Sequence, residues 1–218
     1  MTKKNKIFIA LVFVLLFCLV AVSCKSKAPT LESVKDELVS KIEKSAKVNE
    51  IFWGDGLPVV KIGSGEAMDM NLYNDQNDIT VDDNGEWEYV HPQNSDYHSI
   101  IDIKILAQSV YSASFLEAVY KAQFEGLDSP AYSGKESPHY MENSYMLWQN
   151  TGKYENFRLI DKKRVYDYDT MKIDEKKSSD SRIYVTLDSR LEGEDTVLNV
   201  TLTFDRQSDG WYLSSPTY

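Results

Sequence analysis

The chain predicts an α+β domain in which an N-terminal helix and a central helix pair pack on a curved antiparallel sheet of four to six strands. Three observations carry this. An apolar stripe at three- and four-residue spacing follows Thr30, a second helical region runs from His98 to Gly126, and four or five alternating runs fill most of the sequence after Pro138.

The first element is "TLESVKDELVSKIEKSAKVNEIFWG", with Thr30 as its N-cap. Leu31, Val34, Leu38, Ile42 and Ala46 form one face, Lys, Glu and Asp occupy the others as a solvated surface, and Gly54 and Gly56 close the helix. From Leu57 to Pro92 the texture changes to short β-like runs, "LPVVKIG", "AMDMNLY", "DITV" and "EWEYV". Asn84-Gly85 between the last two is a hairpin signal, because a two-residue turn needs positive φ at both central positions. The acidic stretch fails as an EF-hand: with Gly85 at the loop glycine, Thr80 stands where the first Asp belongs and His91 where the closing Glu belongs.

The central region breaks into two helices. Ser114-Phe115-Leu116-Glu117 has the spacing of a capping box, so the second helix is expected to start there. Phe115, Val119 and Ala122 share a face flanked by Leu116, Tyr120 and Phe124, a breadth suited to packing on a sheet. Gly126, Pro130, Gly134 and Pro138 then mark a loop. The strand candidates follow as "YMENSYMLW", "KKRVYDYDTMKI", "SRIYVTLDSRL", "TVLNVTLTF" and "GWYLS". Alternation is cleanest in Ile183, Val185 and Leu187 and in Leu198, Val200, Leu202 and Phe204.

The 218 residues are 42% hydrophobic and 27% charged, which excludes a collagen, a coiled coil, a disordered tail and a polytopic membrane protein. Residues 1–23 have the layout of a secretory signal, with Lys3, Lys4 and Lys6 ahead of an apolar stretch from Ile7 to Val22. Its end, Val20-Ala21-Val22-Ser23-Cys24, resembles a bacterial lipobox, although Ala21 stands where Leu, Val or Ile is usual. That resemblance implies lipidation, palmitate included, at Cys24 and anchorage on the extracytoplasmic side of a bacterial membrane. An uncleaved signal anchor is the alternative, since the run is at the short limit for crossing a bilayer, and either reading tethers the domain. The expected organisation is a signal peptide over 1–23, a lipidated Cys and linker over 24–29, and one α+β domain over 30–218.

Cys18 and Cys24 are the two cysteines, so the exported domain is expected to have no disulfide and no thiol chemistry. Without the signal it carries 21 basic against 34 acidic residues, a net charge of −13, which makes nucleic acid an unsuited partner.

The stretch "SIIDIKILAQSVYSASFLEAVY", the strand "YMENSYMLW" and the ending "GWYLSSPTY" resemble extracytoplasmic bacterial proteins that include the DL-endopeptidase inhibitor (IseA-type) group. The resemblance covers about residues 86 to 218 and rests on Tyr111-Ser112, Phe115, Gly210-Trp211 and Pro216-Thr217-Tyr218. It implies a cystatin-like or nuclear-transport-factor-like fold and a non-catalytic protein that binds a peptidoglycan-cleaving peptidase. It does not extend over Trp53 to Pro92.

The residues themselves offer little chemistry. His91 and His98, with Asp96 and Asp102, place two imidazoles near carboxylates, but their spacing matches no short metal motif, and exposed loop histidines are the simpler reading. His139 stands alone between Pro138 and Tyr140. No phosphate loop, dinucleotide fingerprint or nucleophile elbow occurs, and we expect no cofactor, no metal and no enzyme activity. Tyr132, Tyr140, Tyr145, Trp148 and Tyr154, with Phe157, crowd one region, and rings with polar edges suit contact with a protein or a glycan as well as a core. The expected function is a membrane-anchored envelope protein that modulates a cell-wall hydrolase or binds peptidoglycan through these aromatics. The alternative is a small-ligand or weakly enzymatic pocket between sheet and helices.

Overall fold

The computed structural model describes residues 27–60, 87–91, 93–127, 137–143, 146–152 and 158–218. The runs expected between 61 and 86, the Asn84-Gly85 turn included, and the segment 1–26 with Cys24 lie outside the described residues. Among those described, no helix is long and apolar enough to cross a membrane.

The architecture is α+β. Helix α1 (Leu31–Trp53) is followed by β1 (Val59–Val60), β2 (Trp87–Val90), α2 (Ile100–Gln108), α3 (Ala113–Tyr120), β3 (Tyr140–Asn143), β4 (Met146–Asn150), β5 (Arg164–Ile173), β6 (Arg182–Leu191), β7 (Leu198–Gln207) and β8 (Gly210–Leu213). The described strands divide between two four-stranded antiparallel sheets, ordered β1-β2-β4-β3 and β5-β6-β7-β8, where a single sheet was expected. The reason is local pairing. Strands β5 to β8 form a meander whose neighbours in sequence pair, and β4 finds its partners in β2 and β3 instead.

Helix α1 lies at the centre. Its buried face runs through Val34, Leu38, Ile42, Ser45, Val48, Asn49, Ile51 and Phe52. This departs from the expected stripe after Ile42, because Ala46 is exposed and Ser45 and Asn49 take the inward positions. The meander turns Ile183, Val185, Leu187, Leu202, Phe204, Trp211 and Leu213 into the same core. The alternation predicted for β6 and β7 is thus present in the buried set, except that Val200 is only partly buried and Leu198 is half exposed at the strand's start.

Helix ends are fixed by particular groups. The helix pair breaks where expected, but the expected box at Ser114 and Glu117 does not start α3. Ser112 is its N-cap and accepts the Phe115 N–H at 3.4 Å. A reciprocal cap forms one helix earlier, at α2. There the Asp102 N–H donates to Ser99 Oγ at 3.1 Å, and Asp102 Oδ2 accepts the His98 N–H at 3.0 Å. Hydrogen bonds from the His98 backbone and the Ser99 side chain hold the Asp102 carboxyl below its ordinary range. Between the two helices, Ser112 N–H donates to Leu213 O at 2.8 Å and Leu213 N–H to Val110 O at 3.0 Å, tying the break to the end of β8.

A short π-helical turn, Lys121–Glu125, follows α3 and places Gln123 inside the core. At the other end of α1, carbonyls left over by the helix are taken up by distant groups. Tyr140 Oη donates to Ile51 O at 2.8 Å, Gln123 Nε2 to Phe52 O at 3.2 Å, and the Leu159 and Ile160 N–H groups to Trp53 O at 2.8 and 2.9 Å. These bonds place residues 158–160 beside the C-terminus of α1, ahead of β5.

Candidate functional site

Helix α1, the approach to β5 and the chain's last residues enclose a cleft of about 480 Å³. One wall is helical: Ile42, Ser45, Ala46 and Asn49 fall at three- and four-residue spacing and so share a face. The facing wall is Ile160 to Tyr166 with Tyr168, and Thr217 and Tyr218 close the floor.

The floor is polar and tightly bonded. Thr217 Oγ1 lies 2.6 Å from Ser45 Oγ, accepts Asn49 Nδ2–H at 2.7 Å and lies 3.1 Å from the Tyr111 hydroxyl. Tyr111 Oη donates to Asn49 Oδ1 at 2.8 Å, and Tyr166 Oη donates to the Thr217 carbonyl at 2.6 Å. Burial pushes the Tyr111 phenol up to about 12. Burial raises Tyr166 as well, with the Arg164 guanidinium opposing. Both phenols therefore stay protonated at neutral pH and act as donors.

The rim is charged. Arg158 bridges Asp55 at 3.3 Å and Asp161 at 3.5 Å, and Lys162 meets Glu194 at 2.8 Å. Arg164 Nη1 donates to Ser189 Oγ at 3.1 Å. On the helix side Glu43 and Glu50 are exposed. The cleft can recognise a ligand through hydrogen bonds and through charged groups of both signs along its rims.

Of the residues expected to make contact, the two that are described, Tyr140 and Trp148, are buried. Tyr140 is fully buried, bonded to Ile51 O and in tilted ring contact with His139 at 4.3 Å, and Trp148 is buried against Tyr89 at 6.0 Å. Tyr140 belongs to the main core, whereas the register, which pairs Tyr140 with Gln149 and Met141 with Trp148, puts Trp148 on the other face of the sheet, beside its β2 partner Tyr89. Tyr132, Tyr145 and Tyr154, with Phe157, lie outside the described residues, as does Cys24.

The histidines are likewise dispersed. His91 Nδ1 accepts the N–H groups of Gln93 and Asn94 at 3.1 and 3.2 Å and so closes a turn, while His98 joins the α2 cap through its backbone. His139 is buried, with Nδ1 2.9 Å from Gln123 Oε1, and desolvation depresses it to about 3. Among the described residues no group of three His, Cys, Asp or Glu side chains is arranged to hold a metal.

Ser45 and Asn49 went unmarked in the sequence, and Thr217 entered only among the residues that carry the resemblance. The available signal was the pair of polar residues at i and i+4 one position away from the apolar stripe, which becomes meaningful only once Thr217 is known to meet them. Comparison of the chain with family models, curated proteins and solved structures finds no match.

Proposed function

We propose that this chain is a non-catalytic binding protein of the bacterial cell envelope, held at the membrane by lipid on Cys24, and that its partner is a cell-wall hydrolase or peptidoglycan. The observation that supports it best is the cleft between α1 and β5. Its floor of hydroxyl, amide and neutral phenol groups is pre-bonded, so little ordering entropy is lost when a partner docks. The anchor reading rests on the segment ending at Cys24, and the partner reading on the resemblance to the IseA-type inhibitors. A cystatin-like or nuclear-transport-factor-like ancestry belongs to the same proposal, supported by the packing of α1 on the inner face of the β5–β8 meander.

The test uses the full chain in detergent micelles with a purified DL-endopeptidase and with peptidoglycan sacculi. Slowed peptidoglycan cleavage, or co-sedimentation with sacculi, that weakens as salt rises is the expected result, because both cleft rims are charged. Unchanged cleavage together with no co-sedimentation overturns the reading. A volume of about 480 Å³ also fits a small ligand, and saturable binding of a low-molecular-weight envelope component without either macromolecular effect would favour that second reading.

A further inference from the structure

We infer that the cleft binds a short peptide with both termini free, its ammonium group at Glu43 of α1 and its carboxylate at Lys163 and Arg164 on the facing wall. This inference rests on the binding role proposed above and names the ligand class of the same site.

The charges that line the cleft are nearly balanced, five acidic against four basic, so the site as a whole favours neither an anion nor a cation. Most of them already have partners. Arg158 holds Asp55 and Asp161, Lys162 meets Glu194, and Glu50 is drawn to Lys47 at 3.4 Å. Among the described residues four lining charges form no ion pair: Glu43 on α1, and Lys163, Arg164 and Glu192 across the cleft. Glu192 is anchored beside Lys163, whose carbonyl accepts its N–H at 2.8 Å, and so offsets part of the charge there. Two bases less one acid leave a single positive charge on that wall, opposite the single negative charge of Glu43. The unpaired charges sum to zero and are separated by wall, which complements a ligand with one charge of each sign.

Strand β5 shows how far apart the two poles stand. Tyr166 and Tyr168 project from one face of the strand, their rings nearly parallel with centroids 6.5 Å apart. Burial is the larger effect on both phenols, but the Arg164 guanidinium also lowers the first and the Glu43 carboxylate also raises the second. Arg164 and Glu43 thus flank that pair of rings, and the path between them is roughly 10 Å, two residues of strand and a contact at each end. A single amino acid carries both charges on one carbon and is too short to touch both poles. An extended tripeptide spans about 10 Å. Between the poles Ile42, Ala46 and Ile160 offer contact to small apolar side chains, and a cleft of about 480 Å³ has room for a ligand of that size.

Calorimetric titration of the full chain in detergent micelles at low salt, with alanine, trialanine, N-acetyl-trialanine and trialanine amide, tests this. Trialanine should bind saturably and alanine should not, and capping either terminus of trialanine should weaken binding at least about tenfold. In Glu43→Gln trialanine should bind no better than N-acetyl-trialanine does, while amidation should still weaken it. Glu43 is exposed, so this substitution leaves the core untouched. No saturable binding of trialanine, equal binding of its capped forms, or an acetylation penalty that survives in Glu43→Gln would overturn the inference. Slowed peptidoglycan cleavage or co-sedimentation with sacculi that trialanine does not compete leaves the binding role standing and removes this ligand. Trialanine binding without any effect on peptidase or sacculi does the reverse.

Discussion

Asn49 on α1 and Thr217 near the chain's end, 168 positions apart, are joined by a 2.7 Å hydrogen bond from Nδ2 to Oγ1 inside the core. Around it Ser45, Tyr111 and Tyr166 converge on the same threonine, so the floor of the cleft and the docking of the C-terminal segment are one structure.

Thr217→Val keeps the shape and removes the hydroxyl, leaving Asn49 Nδ2 without its acceptor. The cost should be about 1–3 kcal/mol, read as a Tm lower by roughly 3–10 °C, whereas Thr217→Ser should lose less. Equal melting of the valine variant and the parent would show the hub to be dispensable.

His139 gives the protein an acid-sensitive element. Its folded pKa of about 3 lies below the ordinary histidine value, so between that value and pH 3 the unfolded chain binds the extra proton. Stability is therefore lost as pH falls from about 6.5, on the order of a few kcal/mol for this side chain. Urea unfolding across that window should show a shallower acid limb for His139→Gln than for the parent; parallel limbs would refute the assignment.

On the meander, Arg182 of β6 and Asp205 of β7 form a two-bond pair, Nε to Oδ1 at 2.5 Å and Nη2 to Oδ2 at 2.9 Å. The guanidinium holds the Asp205 carboxyl below its ordinary range. A depressed folded pKa contributes stability above the unfolded carboxylate pKa and loses it as pH falls through the folded one. Arg182 is half exposed, so Asp205→Asn should cost only about 0.5–1 kcal/mol at pH 7, and the difference should vanish in acid. A cost that persisted at low pH would point to packing instead of charge.

Gly210 is coupled to Glu37, whose Oε1 accepts the Trp211 N–H at 2.6 Å. A Cβ at position 210 would run into that same oxygen, so Gly210→Ala must displace the carboxylate and strand a backbone donor. We expect about 1–2 kcal/mol of destabilisation from Gly210→Ala and a similar loss from Glu37→Ala. In a double-mutant cycle the two should be clearly less than additive, and additive costs would separate the residues.

The sequence was informative where a local signal and the final environment agreed. Helix α1 was visible from its spacing and from the glycines after it, and the β6 and β7 partners from strict alternation, because a helix or strand that buries one face must repeat with its own period. The start of α3 was misplaced by two residues, since the Ser-x-x-Glu spacing belongs to Ser114, with Phe115 standing three residues after Ser112, while the backbone anchoring of Ser112 to Leu213 favours Ser112 as the cap.

What the sequence by itself determined is the α+β class, the long central helix and the alternating meander. Tertiary structure alone decided the split into two sheets, the burial of Tyr140 and Trp148 and the cleft floor. Ser45, Asn49, Tyr111 and Thr217 each have an ordinary local reading, and their shared hydrogen bonds, of 2.6 to 3.1 Å, exist only because folding brings three distant parts of the chain together. Such long-range pairing leaves no periodic trace, because the partner that satisfies a buried polar group is chosen by geometry in space and not by separation along the chain.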